Sequence, residues 1–137
     1  MLTFDPADRR HFVPEPANFY PLALAMKYIV SGSDIVSSRV DGCVDTQGHP
    51  RVFLVAARKA NDITLLWVND SDSPARVEVA GLPAGKPLRH HRVTATTHDR
   101  IVFVGERAAN EATVNLMPRS IEVLTTYTYG SETVDPQ

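Results

Sequence analysis

The segment Arg51–Asp70 constrains the fold more than any other part of the sequence, because it contains two short runs of apolar and β-branched residues. The runs are Arg51–Arg58 and Ile63–Asn69, with the polar pair Asn61-Asp62 between them. Each run is shorter than a typical helix, and turn-forming residues bound both, so the sequence predicts a β-hairpin. Both runs are apolar at consecutive positions, whereas a hairpin with one face in water alternates apolar and polar residues. We therefore expect both faces of this hairpin to be covered.

Length, charge and cysteine content place the chain in a broad class. A chain of 137 residues is the size of one domain, and its formal net charge is -2. Charges of both signs are mixed along the sequence, without the basic block that is typical of nucleic-acid or membrane binding. Cys43 is the one cysteine, and no secretory leader is recognised at the start. The sequence fits a reducing compartment, with a cytoplasmic location favoured, or an oxidising one in which disulfides are not needed. We expect a soluble protein with no nucleic-acid or membrane partner.

A single helix is predicted after Met1–Pro16, an arm that shows no regular periodicity and is expected to be irregular. Asn18 is suited to cap this helix, and Gly32 to end it in a left-handed conformation. Between them, Phe19–Val30 is apolar nearly all round, and such a helix is normally buried on most sides. The run is also shorter than the roughly 20 residues that span a bilayer. One stripe of the helix is predicted to pack against a partner, and it consists of Phe19, Leu22, Met26 and Ile29.

After the helix, turn residues recur at the spacing that is typical of an all-β sandwich or barrel. We expect the domain to cover residues 17–130, with a C-terminal tail at 131–137. The eight predicted strands are Asp34–Asp41, Arg51–Arg58, Ile63–Asn69, Ala75–Ala80, Leu88–Thr96, Ile101–Glu106, Glu111–Leu116 and Ser120–Tyr129. The sequence therefore predicts an all-β fold, an eight-stranded antiparallel β-sandwich with one N-terminal helix.

Four sequence segments together resemble a known architecture. Tyr28-Ile29-Val30-Ser31-Gly32-Ser33 ends the helix, and Val68-Asn69-Asp70 ends the hairpin. Val77–Pro83 reads Val-Glu-Val-Ala-Gly-Leu-Pro, and Asn115–Thr125 reads Asn-Leu-Met-Pro-Arg-Ser-Ile-Glu-Val-Leu-Thr. This pattern resembles the C-terminal β-sandwich that is appended to the (β/α)8 barrel in clan-A glycoside hydrolases, such as arabinofuranosidases and xylosidases. The resemblance implies that the helix corresponds to the last barrel helix and that the sandwich packs against the flank of the barrel.

The catalytic barrel of that family, with its acid/base and nucleophile glutamates, has no counterpart in this sequence. None of the glutamates here matches a catalytic motif of the family; they are Glu15, Glu78, Glu106, Glu111, Glu122 and Glu132. The sequence also lacks a glycine-rich phosphate loop and a Gly-x-Ser-x-Gly elbow, which disfavours a small hydrolase. We expect no catalytic residue and no cofactor. The predicted function is a non-catalytic accessory module that associates with a catalytic (β/α)8 barrel or with a second copy of itself.

Aromatic residues support an alternative prediction, a stand-alone carbohydrate-binding module. Trp67, Tyr127 and Tyr129 are the candidate platform on which sugar rings would stack. Tyr127 and Tyr129 fall on one face of the last predicted strand. Trp67 lies in the middle of the most apolar hairpin, where a core role is the competing interpretation.

Two polar clusters resemble metal sites, and for each we favour a structural interpretation. His90 and His91 are neighbours on a predicted strand, so they point to opposite faces and do not converge on one ion, even with His98 and Asp99 nearby. We expect surface histidines near a loop. Asn69–Ser73 is rich in oxygen ligands but lacks the glycine and glutamate of a calcium loop, and the same residues form turns.

Overall fold

The structure is a computed structural model that describes residues 2–4, 12–14, 16–83, 85–97, 100–109 and 113–128, with side chains from residue 19 onward. It contains one helix, α1 (Pro16–Tyr28). The strands are β1 (Leu2–Phe4), β2 (Phe12–Pro14), β3 (Asp34–Val36), β4 (Val52–Lys59), β5 (Asp62–Asn69), β6 (Ala75–Glu78), β7 (Leu88–Thr94), β8 (Val102–Arg107), β9 (Thr113–Leu116) and β10 (Ser120–Thr125).

Eight of these strands form two layers. The larger sheet has six strands in the order β3-β4-β5-β10-β7-β8, and the smaller sheet pairs β6 with β9. Every pair of neighbouring strands is antiparallel. The prediction of an eight-stranded antiparallel β-sandwich with one helix is confirmed, and each predicted strand overlaps one observed strand. The first predicted strand is shorter than expected, because pairing with β4 ends at Val36.

The hairpin predicted from Arg51–Asp70 is β4 and β5, paired from Val52 with Asn69 to Lys59 with Asp62. Ala60 in its turn has a φ of 53°, a left-handed conformation that such tight turns require. The inner face of the hairpin packs against the smaller sheet in one core cluster. The buried members of that cluster are Val52, Ala56, Leu65, Trp67, Ala75, Val77, Leu88, Val114, Leu116 and Leu124.

α1 lies on the outer face of the six-stranded sheet, in contact with β10 and β7. A second core cluster forms there, with Leu24 and Tyr28 of the helix packed against Val93 and Val123. The hydroxyl of Thr64 donates a hydrogen bond to the carbonyl of Tyr28 (3.0 Å), which fixes the C-terminal end of the helix on β5. The protein therefore has three layers over part of its width: the smaller sheet, the larger sheet and the helix.

The N-terminal boundary of the helix differs from the prediction. α1 begins at Pro16, two positions before the predicted cap Asn18, because proline is well suited to the first turn of a helix, where its missing N–H is not needed. Gly32 has a φ of 81° in the turn after the helix, the left-handed conformation expected of it. Within the segment expected to be irregular, β1 and β2 pair as two three-residue strands, too short to give a recognisable periodicity.

Within the described residues, no helix combines the length and the apolar character that crossing a bilayer requires.

Candidate functional site

α1 carries apolar side chains on two opposite faces. Leu24 and Tyr28 are buried against the sheet, whereas Leu22 is 49% exposed and Met26 is 69% exposed. Successive helical residues are about 100° apart, so Leu22 and Met26 lie on the side of the helix that faces away from the sheet. Phe19 and Ile29 belong to the same stripe and are half-buried. Of the four residues predicted to pack against a partner, Phe19, Leu22 and Met26 thus lie on the outward stripe of α1, and Ile29 directly follows the last residue of the helix.

The outer face of β3 and β4 is also apolar and is left uncovered. Phe53 and Val55 on β4 are 49% and 39% exposed, and Ile35 on the neighbouring strand β3 is exposed as well. The chain itself therefore covers the inner face of β4 but not its outer face, and what covers the outer face stays a prediction. The helix packs mainly on β10 and β7. We call Phe19, Leu22, Met26 and Ile29 together with Ile35, Phe53 and Val55 the outer apolar surface.

A shallow cavity of about 430 Å³ lies beside the first turns of α1. Its apolar lining comes from Pro21, Val68 and Ile121, and Arg119 and Asp70 stand at its polar side. Arg119 Nη1 donates to Asp70 Oδ1 at 2.5 Å. An apolar floor with a charged rim is the usual anatomy of a protein–protein contact.

The Asn69–Ser73 loop is held by its own hydrogen bonds. The amide of Asn69 donates to the carbonyls of Ser73 (2.9 Å) and Met117 (2.8 Å), and the hydroxyl of Ser71 donates to Asn69 Oδ1 (2.8 Å). Arg119 Nε donates to Asp72 (3.0 Å), and this hydrogen bond lowers the pKa of Asp72. The loop is therefore a turn held by hydrogen bonds among its own residues, which is the interpretation we favoured. Both of its carboxylates, Asp70 and Asp72, are paired with Arg119.

Between the two sheets lies a buried polar cluster centred on Glu122, whose side chain is fully buried. One carboxylate oxygen accepts hydrogen bonds from Met117 N (2.7 Å) and the Ser120 hydroxyl (2.8 Å). The other accepts from His90 Nε2 (2.5 Å) and Arg92 Nη2 (3.0 Å). Burial by itself raises the pKa of Glu122, but the hydrogen bonds from His90, Arg92 and Met117 outweigh it and leave the pKa below its ordinary value. Glu122 is thus a buried, fully hydrogen-bonded carboxylate.

Both histidines of the His90-His91 pair are buried, so the expectation of surface histidines is wrong. They do point to opposite faces, as the strand geometry required: His90 faces Glu122 between the sheets, and His91 lies beneath the helix. The His91 ring stacks on Tyr28 with 4.5 Å between ring centroids and lies 5.4 Å from the ring of Phe103. The pair was misjudged because neither partner, Glu122 or Tyr28, is close in sequence. His98 and Asp99 lie outside the described residues.

Of the three aromatic residues of the carbohydrate alternative, the structure describes Trp67 and Tyr127, and these two pack into different core clusters. Trp67 is 4% exposed in the main core cluster, so it has no free ring face for a sugar, and its proposed stacking role is corrected to a core role. Tyr127 is half-buried and packs against the helix cluster. Tyr129 lies outside the described residues.

The described residues assemble no group of three or more histidine, cysteine or acidic side chains that could hold a metal ion. The Glu122 cluster could not serve as an acid/base pair in its present form, because all the carboxylate oxygens are bonded inside the protein and the side chain is sealed from solvent. A signal for this cluster was present in the sequence: Glu122 interrupts an apolar strand at an inward position, and His90 and Arg92 alternate on another strand.

Comparison with solved structures places this fold among domains of larger proteins. The chain is similar to a family 30 glycoside hydrolase endoxylanase from Clostridium papyrosolvens, with a TM-score of 0.60 and 15% identity over 76% of this chain and 26% of that one. It is also similar to a family 30 subfamily 8 xylanase from Clostridium acetobutylicum (TM-score 0.55, 14% identity, 72% and 24% of the two chains). A conserved exported protein from Bacteroides fragilis gives a TM-score of 0.56 at 11% identity, over 72% and 19%.

No protein-family model and no curated protein matches the sequence. At these identities the likeness is one of fold, and at that level it confirms the resemblance to the β-sandwich of clan-A glycoside hydrolases. The chain spans about a quarter of the length of the two xylanases that it matches.

Proposed function

We propose that this chain is a non-catalytic accessory β-sandwich of glycoside-hydrolase type, which docks onto a catalytic (β/α)8 barrel through the outer apolar surface. The main observation in support of the proposal is the outward stripe of α1. Leu22 and Met26 are exposed to solvent there, whereas Leu24 and Tyr28 on the opposite face of the helix are buried. Contiguous exposed apolar surface on a small protein commonly marks a protein–protein contact.

The arrangement of the surface supports docking rather than chance exposure. The stripe spacing of Phe19, Leu22, Met26 and Ile29 is three, four and three residues, which keeps the side chains in line along the helix as in helix–helix contacts. Phe53 and Val55 extend apolar character onto the same side of the larger sheet. Aromatic and methionine side chains are enriched in interface cores, and both occur here.

The comparisons support the choice of partner. Two of the solved structures to which the chain is similar are described as xylanases, and this fold accounts for 26% and 24% of their chains. A domain that is one part of a longer enzyme in those proteins has neighbouring structure to pack against. We propose that a (β/α)8 barrel is this neighbour for the present chain. The competing proposal is that a second copy of the chain binds to the same outer apolar surface.

Size-exclusion chromatography with light scattering tests the proposal on the chain alone and on an equimolar mixture with a clan-A barrel expressed without its own β-sandwich. Methionine oxidation in the same samples locates the contact. Met26 belongs to the outer apolar surface and is 69% exposed, whereas Met117, at 43%, lies in the turn between β9 and β10. We expect an associated species in which oxidation of Met26 is slowed and that of Met117 is not.

The proposal fails if the chain elutes at the monomer mass of 15.1 kDa in both samples and Met26 oxidises at the same rate throughout. Association in the sample without a barrel, with Met26 protected, would favour a homo-oligomer as the occupant of the surface. Association with Met26 unprotected would place the contact elsewhere and contradict the assignment of the surface.

A further inference from the structure

A cavity of about 270 Å³ lies between the two sheets, bordered by β4, β5 and the end of β6. Its apolar lining continues the main core cluster and consists of Leu54, Leu65, Trp67, Val79 and Leu82. Ser37, Ser38 and Glu78 also line the cavity and are exposed, so they mark its solvent side. The cavity is therefore an apolar space in the sandwich with a polar entrance.

The cavity follows from the unequal sizes of the two sheets. The larger sheet has six strands and the smaller sheet two, so the smaller sheet covers only part of the inner face. The segment after β6 extends the cover with Val79 and Leu82, which are half-buried. Pairing of β3 with β4 ends at Val36, and within the described residues no strand continues the sheet beyond it. The lining side chains thus lack contacts on one side, and a bound molecule would supply them.

Trp67 brings an unused hydrogen-bond donor to this cavity. Its side chain lines the cavity and is buried, and its indole Nε1 has no hydrogen-bond partner among the residues that the structure describes. An indole N–H can only donate, and buried polar groups in native proteins are nearly always paired. A molecule held in the cavity beside Trp67 can supply the acceptor that the described residues do not.

We propose that this cavity binds a small, mostly apolar ligand, a single ring with a short substituent, whose hydrogen-bond acceptor pairs with Trp67 Nε1. An apolar cavity of about 150 Å³ holds benzene, so a cavity of about 270 Å³ has room for a ring and a few further atoms. A sugar ring does not suit the site, because leucine and valine side chains would leave its hydroxyls unpaired. The proposal is independent of docking to a barrel, since the cavity lies on the inner face of the larger sheet and the outer apolar surface lies on the other side.

Cyclohexanone and methylenecyclohexane are the matched probes, because they have nearly the same shape and only the ketone carries a strong acceptor. Trp67 is the one tryptophan of the sequence, so its indole N–H gives a single signal in the ¹H–¹⁵N spectrum of the ¹⁵N-labelled chain. We expect cyclohexanone to move this signal downfield in a saturable manner, because the N–H gains a hydrogen bond. Methylenecyclohexane should compete with cyclohexanone for the cavity and should not give the downfield shift.

Val79→Phe tests the location of the site, because the larger side chain fills part of the cavity. Val104→Phe is the matched control: Val104 lies on β8, is 41% exposed and does not line the cavity. Cyclohexanone should shift the Trp67 signal in the control as in the unmodified chain, and the shift should be lost in Val79→Phe.

Three results would overturn the proposal: no saturable shift in the unmodified chain, the same downfield shift with methylenecyclohexane, or equal affinity for cyclohexanone in Val79→Phe and Val104→Phe. If Val79→Phe does not fold, nuclear Overhauser effects in the unmodified chain decide. Contacts of bound cyclohexanone with the Trp67 indole N–H and the Leu82 methyl groups support the site, and contacts with other groups alone contradict it.

Discussion

The two faces of the six-stranded sheet differ in how much of each is covered by other elements of the chain. The inner face is closed by β6 and β9, and even its buried charge, Glu122, has each oxygen hydrogen-bonded within the chain. The outer face is covered by α1 over β10, β7 and part of β5, and Phe53 and Val55 of β4 remain exposed to solvent. Both faces are apolar in sequence, so the difference lies in what the chain provides to cover them.

This contrast separates side chains whose partners lie within the chain from side chains that are exposed to solvent. Substitutions on the inner face should cost folding free energy, because each side chain there already has its partners. Substitutions on the outer apolar surface should cost little folding free energy and should instead change association.

Removal of the buried carboxylate should be the most damaging single change. Glu122→Ala leaves Arg92 and His90 without their acceptor in a sealed site, and breaking a buried ion pair from one side costs about 3–5 kcal/mol. Urea unfolding monitored by Trp67 fluorescence measures the loss. Asp41→Ala is the control: Asp41 and its partner Arg39 lie 2.9 Å apart and are both exposed, and exposed pairs contribute about 0–1 kcal/mol. Similar losses for the two variants would contradict the assignment of Glu122 as the structural centre of the inner face.

Substitution of two leucines on opposite faces of α1 tests which face of the helix contributes to the free energy of unfolding. Leu24 is fully buried and Leu22 is 49% exposed. Leu24→Ala should lower the free energy of unfolding by about 2–5 kcal/mol, as a fully buried leucine does when it leaves a cavity. Leu22→Ala should lower it by less than about 1 kcal/mol. A reversed order would mean that α1 is rotated about its axis relative to the structure described above.

Acid should weaken the inner face through Glu122. Because the pKa of this carboxyl is below its ordinary value of 4.5 in the folded protein, its contribution to stability is complete above that value and is lost as pH falls below it. One group changes the free energy of unfolding by at most about 1.4 kcal/mol per pH unit. Glu122→Gln should therefore show a flatter pH dependence below pH 4.5 than the unmodified chain. Parallel curves would show that other carboxyls, such as Asp72, account for the acid sensitivity.

The sequence predicted the strands well because each one is a local pattern bounded by turn residues. Helical spacing alone also placed Leu22 and Met26 on one face of α1, where both are exposed; that this face packs against a partner stays a prediction. The Glu122 cluster was missed because its members are far apart in sequence: His90 and Glu122 are 32 positions apart. Apolar residues on both faces of β4 do not reveal whether the cover of the outer face belongs to the same chain, and the chain itself leaves that face exposed. The early start of α1 was missed because a proline was taken as part of the arm.

Binding of the hydrophobic dye 1-anilinonaphthalene-8-sulfonate to the folded, isolated chain is the most direct measurement of whether the outer apolar surface is accessible. Val55→Glu and Met26→Glu place a charge on the outer apolar surface, and Val44→Glu is a matched control at an exposed valine (48%) in the loop before β4. We predict that the unmodified chain and Val44→Glu bind the dye and that the two surface variants bind it much more weakly, with all four chains folded. No dye binding by the unmodified chain, or equal binding by all four, would contradict the account.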